Sequence, residues 1–173
     1  MNAAQLREMQ APLKAKYKDD PTAAKYTIRA TGRVDAASLD CRVETPRGEI
    51  VAGLHPATGG DGTAACSADM LLESLVACAG VTLRAVATAM EIPIRGGTIS
   101  AEGDLDFRGT LGVDRQTPIG FSSIRLKYEI DADATDEQLA TLLKLAEWYC
   151  VIYQTLKSPA AISAECVRTP SGH

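Results

Sequence analysis

Five cysteines, Cys41, Cys66, Cys78, Cys150 and Cys166, offer the widest chemical scope in this sequence. A thiol can serve as nucleophile, redox group or metal ligand, and in each role the acting species is the thiolate. The cysteines form no C-x-x-C pair, and His55 and His173 stand at no ligand spacing to them, so a structural zinc site is not expected. Their odd number and wide scatter are unlike the dense, even framework of a small secreted domain, and the expected setting is a reducing cytoplasm.

Cys41 and Cys166 fall on apolar faces of strand-like segments and read as small hydrophobes. Cys66 adjoins a helix start in a Gly-rich loop and is a reserve candidate for a reactive thiol. Cys78 and Cys150 lie among Leu, Val, Ala, Tyr and Trp, and composition and spacing alone leave both as core residues. A buried thiol has its pKa raised by desolvation, so a working thiolate needs a cation nearby. Arg29 and Arg33 share one face of an early alternating segment, and Arg42 is a third candidate.

Positioning such groups falls to a mixed set of elements. Asn2 to about Lys18 has helical composition, with Pro12 expected to kink or divide it, and Asp19, Asp20 and Pro21 form a stop. Alternation predicts strands from Tyr26 to Val34, from Leu39 to Glu44 and, after a turn at Thr45 to Gly48, from Glu49 to Leu54. The stretch HPATGGDGTAAC lacks both GxxxxGK[ST] and GxGxxG and reads as a loop covering a site. Ser67 is the expected N-cap of a helix to about Met90, with Asp69 in its first turn complementing the dipole. That helix is apolar on nearly every face and must lie between other layers, within one subunit or between two.

Strands are expected at Thr98 to Arg108 and Phe121 to Asp131, the second carrying Ile124, Leu126, Tyr128 and Ile130 in clean alternation. Thr135 and Gln138 make a capping box for a helix through about Tyr149, and Pro159 ends whatever helix continues past Cys150. A last strand is expected from Ala161 to Val167. Glu73 and Glu147 read as partners for basic residues or as solvated helix positions, and Trp148, Tyr149 and Tyr153 as an aromatic cluster around Cys150.

With 173 residues, 46% of them hydrophobic, the chain can bury a real core, arranged as an arm at 1–22 and a domain at 23–173. A formal charge of -4 gives no basic footprint for nucleic acid or anionic lipid. The apolar run from Met70 to Met90 is interrupted by Glu73 and Arg84, so no membrane span is expected, and the N-terminus has no signal-peptide pattern.

Two segments, DMLLESLVACAGVTLRAVA and EWYCVIYQTL, resemble the two signature segments of the OsmC/Ohr family. The order of elements from about residue 24 to 168 is similar too. The resemblance implies an α+β, OsmC-like fold of curved antiparallel sheets around a central buried helix, assembled as an intertwined homodimer. It implies a thiol peroxidase in which Cys78 attacks an organic hydroperoxide and Cys150 resolves the sulfenic acid as a disulfide. It also implies no bound cofactor or metal, and an external dithiol reductant, which in relatives can be a lipoylated protein.

Arg33, in TGRV, resembles the family's thiolate-stabilising arginine, with Arg29 and Arg42 as competitors. The family's glutamate position is Ala68 here, and Asp69 stands one residue later. The proline that usually follows the second cysteine is Val151, and Gln154 replaces an Asn or Arg. The rival reading is a redox sensor or apolar-ligand-binding protein on the same fold.

Overall fold

A capping box, in which Asn2 and Gln5 each bond the other's backbone N–H, starts the first helix, α1 (Ala3–Asp19). It belongs to a computed structural model that describes residues 1–34 and 36–168, so His173 lies outside the described residues. The helix is continuous through Pro12, with no division there. That proline removes one helical N–H at an exposed position, and Ala3 and Leu6 anchor the first turns by burial. A 3-10 turn at Pro21–Ala24 follows, capped by the Asp20 carboxylate.

Three strands, β1 (Thr31–Val34), β2 (Cys41–Thr45) and β3 (Gly48–Gly53), form an antiparallel meander. The expected first strand is longer than the observed one. Thr31 pairs with Glu44, and β2 turns away at Thr45, so residues 25–30 have no edge to pair with in this chain. Tyr26 and Ile28 are accordingly exposed. The Gly-rich stretch is more ordered than a plain loop: it holds a 3-10 turn at Pro56–Thr58 and a two-residue strand, β4 (Ala65–Cys66), parallel to β3.

Cys66, not Ser67, occupies the N-cap of the central helix α2 (Ser67–Ala89), and its side chain makes no capping bond. By length and composition α2 is the one described helix apolar enough to cross a membrane. In the fold, its Leu75, Ala79, Leu83 and Ala87 form a single buried stripe at four-residue spacing. Val81, off that stripe, is 74% exposed, so the apolar surround of α2 is only partly used within one chain.

The second sheet pairs β5 (Ile94–Asp104) with β6 (Ser123–Ala132), antiparallel. The first of these ends earlier than expected because the Asp106 carboxylate caps a short helix, α3 (Phe107–Thr110), through the Arg108 N–H. The Thr135–Gln138 capping box opens α4 (Asp136–Tyr149), and α5 (Val151–Lys157) follows after a single residue.

Leu83, Ala87, Ile92, Leu142 and Ala146 make the buried cluster on which Ile99, Tyr128 and Ile130 of the sheet pack. Leu142→Ala should therefore cost about 2–5 kcal/mol of stability, read as a lowered urea midpoint with unchanged slope.

The expected last strand is not formed: residues 161–168 carry no regular structure, and Ile162 is 93% exposed. Alternation makes a segment suited to a sheet, but no edge within this chain receives it. Cys166 is correspondingly exposed instead of packed, while Cys41 is half-buried between strands.

Candidate active site

The helix pair α4–α5 is broken at one residue, Cys150, whose backbone is extended (φ -77, ψ 108). It caps the C-terminus of α4, donating its N–H to the Ala146 carbonyl at 3.1 Å, and opens α5. A helix start leaves its first N–H groups unpaired, so Val151, Ile152 and Tyr153 present free donors at this corner. Gln154 fixes the corner: its Nε2 donates to the Glu147 carbonyl at 2.9 Å. The residue standing where relatives have Asn or Arg is thus structural here.

Against this corner packs the middle of α2, bringing Cys78 to Cys150 from a distance of seventy-two positions in the sequence. Both cysteines are free thiols. Burial pushes the Cys78 thiol up, but donors outweigh it: the Ile152 N–H, the Cys150 S–H, the Thr82 hydroxyl and the Val151 N–H together hold it below the ordinary thiol value. Cys150 moves the other way. Burial raises it, the Tyr153 and Ile152 N–H groups only partly offset that, and the neighbouring Cys78 raises it further. The pair is therefore asymmetric: the half-buried Cys78 thiol is pulled down and the fully buried Cys150 thiol is pushed up.

Thr82 was legible in principle, since it sits four residues after Cys78 on the same helix face. Tyr128 was not. Its hydroxyl is buried without a hydrogen-bond partner, which typically costs about 1–3 kcal/mol. Burial, with Cys150, Glu147, Tyr153 and Cys78 around it, pushes this phenol up to about 12.

Arg33 and Asp69 are not brought to the thiols within one chain. The Arg33 guanidinium lies 2.9 Å from Glu44 and 3.9 Å from Glu49, on the exposed side of the meander. Arg42 pairs with Glu49 at 3.0 Å, and Arg29 lies in the irregular segment before β1. Asp69 is in the first turn of α2, about 13 Å of helix rise below Cys78. It lines a separate cleft of about 370 Å³ with His55, Phe107 and Phe121, where His55 stacks on Phe107 at 5.1 Å.

Two hollows lie in this region, and of the two thiols only Cys150 lines one of them. One, of about 430 Å³, is lined by Trp148, Tyr149, Cys150, Val151 and Gln154. The other, of about 650 Å³ and mostly apolar, runs between α1 and α2 and reaches Thr82 and Tyr149. Trp148 and Tyr149 are largely exposed, so the aromatic cluster expected around Cys150 is rim more than wall. No group of three or more metal-ligating side chains occurs among the described residues.

Two reduced cysteines of opposite tendency, one on a central helix and one at a helix corner beneath a two-stranded sheet, make this an α+β protein with a vicinal dithiol. The chain belongs to the OsmC-like protein family, which it matches over residues 60–165. A search of the curated proteins returned no match.

Among solved structures, it resembles an OsmC-like protein from Mycoplasma pneumoniae, with 17% identity, 78% of this chain and 90% of that one covered, and a TM-score of 0.65. It also resembles an organic hydroperoxide resistance protein OsmC from Legionella pneumophila (20% identity, coverage 77% and 90%, TM-score 0.60). A third is the organic hydroperoxide resistance protein OhrB of Bacillus subtilis (20% identity, coverage 78% and 93%, TM-score 0.52).

Val151 gives this chain a backbone donor that a proline at that position lacks. Proline suits the first position of a helix, and the extended Cys150 before it is compatible. Val151→Pro is therefore expected to fold and to lose one donor to Cys78, raising the pH at which that thiol ionises. Iodoacetamide alkylation of Cys78 at neutral pH should slow by about two- to tenfold.

Proposed function

We propose that this protein is a thiol-dependent peroxidase for organic hydroperoxides. The Cys78 thiolate attacks the terminal oxygen of R–O–O–H, the O–O bond breaks, and the alkoxide leaves to take up a proton as ROH. Cys78 is then a sulfenic acid. Cys150 bonds to the Cys78 sulfur, the S–O bond breaks, and water departs, giving the Cys78–Cys150 disulfide. An external dithiol, such as a lipoylated protein, restores both thiols. The carrying observation is the asymmetric thiol pair, with Cys78 ringed by donors and Cys150 protonated beside it. Relatives named as organic hydroperoxide resistance proteins support the substrate class.

The reading includes a cytoplasmic homodimer. Val81, Trp148, Tyr149 and Val151 are apolar or aromatic and largely exposed around the thiols, a surface suited to a second copy. Residues 25–30 and 161–168 are strand-like segments with free edges of the kind an intertwined dimer would pair. Arg33 and Asp69 would then serve the thiols across the subunit boundary.

One observation favours the redox-sensor alternative: the donors acting most on Cys78 are all neutral, which leaves thiolate activation modest. Counting equivalents separates the two. With excess cumene hydroperoxide and dihydrolipoamide, an enzyme consumes many equivalents of peroxide per chain, whereas a sensor stops at one.

A further inference from the structure

The arm α1 lies outside residues 60–165, the span matched to the family, yet it builds a wall opposite the central helix. Its N-terminal end is fixed at the C-terminal end of α2: Ala3 and Leu6 are buried, and the Arg7 guanidinium lies 4.0 Å from Glu91. Beyond that anchor the two helices face each other without closing. Leu6, Leu13 and Tyr17 of α1 and Val81, Val86 and Ala89 of α2 line the mostly apolar hollow of about 650 Å³ between them. Leu13, Tyr17 and Val81 remain exposed, so both walls offer apolar surface that this chain leaves uncovered. From Leu6 to Tyr17 α1 rises about 16 Å, and from Val81 to Ala89 α2 rises about 12 Å, so the gap is an elongated slot. Its volume is that of a small-molecule site.

We propose that this slot binds a free long-chain carboxylate, with Lys14 and Gln10 holding the head group and the hydrocarbon chain lying between the two apolar walls. Charge selects among occupants. Lys14 is the one charged side chain in the lining, and its ammonium has no ion-pair partner among the described residues. Gln10 lines the same slot one helical turn earlier on the same face, and its amide is likewise free, so two donors stand side by side for the two oxygens of one carboxylate. A cationic ligand would be repelled by Lys14, and a neutral chain would leave the ammonium without a counter-charge. A bilayer fits less well, because Leu13 and Tyr17 turn toward α2 and not outward. The competing occupant is a second copy, since Val81 and Tyr149 also belong to the surface suited to a dimer. The inference goes beyond the peroxidase reading and uses no step of the thiol chemistry.

Calorimetric titration of the full chain with laurate, kept below its micellar concentration, should give saturable binding. Lys14→Gln removes the charge at an exposed position, and should weaken laurate about tenfold while leaving the neutral analogue dodecanol unchanged. Leu13→Glu puts a charge into the apolar wall, at a position exposed in the fold, and should weaken both ligands by about tenfold or more. An unchanged urea midpoint in the two variants separates lost binding from lost structure, and the laurate–dodecanol contrast within Lys14→Gln does so on its own. Three results overturn the proposal: no saturable laurate binding by the parent protein, equal laurate affinity in Lys14→Gln, or uptake of anionic vesicles without binding of free laurate. A second copy filling the slot would give the first of these.

Discussion

Cys78→Ser is expected to lower dithiol-dependent consumption of organic hydroperoxide by about a thousandfold or more, the loss typical of removing a nucleophile. The physical reason is ionisation. A serine hydroxyl in the same cradle of neutral donors stays protonated at every working pH, because the Ile152 and Val151 N–H groups, the Thr82 hydroxyl and the Cys150 S–H lower a thiol only moderately. Serine is close in size to cysteine and Cys78 is only half-buried, so the variant should keep its fold and its urea midpoint.

The unmodified protein should show the matching pH dependence. Cys78 acts as thiolate, so capture of peroxide rises with pH and is lost as pH falls through the Cys78 ionisation, which lies below the ordinary thiol range. Activity surviving in Cys78→Ser would move the chemistry elsewhere, with Cys66 at the N-cap of α2 the next thiol to test.

The helices and the long sheet were legible because their signals are local. The Thr135–Gln138 box and the alternation through Ile124, Leu126, Tyr128 and Ile130 each act within a few residues and are realised as read. Alternation failed where pairing was the missing half: Tyr26 to Ala30 and Ala161 to Val167 have a strand pattern, but no neighbouring edge in one chain.

The thiol pair was invisible to spacing, since seventy-two positions separate Cys78 from Cys150, and only the resemblance of two segments to a family joined them. Resemblance also nominated Arg33 and Asp69, which this chain spends on Glu44 and on the first turn of α2. Tyr128 illustrates the opposite limit. Periodicity marks it as one more inward residue of β6, and only its surroundings reveal a donor with nothing to bond.

Cys150→Ser and Cys150→Ala should behave differently, because Cys150 has two separable duties. As resolving thiol it closes the cycle, and either substitution should stop the protein after one equivalent of peroxide, with further peroxide driving Cys78 to the sulfinic acid. Mass spectrometry then reads two added oxygens on Cys78 and no disulfide. As hydrogen-bond donor, Cys150 also holds the Cys78 thiolate. Serine supplies an O–H in place of the S–H, so the first oxidation should keep its rate and pH midpoint. Alanine supplies nothing, and the thiolate loses a donor inside a site that already penalises charge. The Cys78 ionisation should rise and the first oxidation at neutral pH should slow by about tenfold. Sustained turnover in both variants at the parent rate, with no sulfinic acid, would show that the dithiol reduces the sulfenic acid directly, and would remove Cys150 from the cycle while leaving Cys78 as nucleophile.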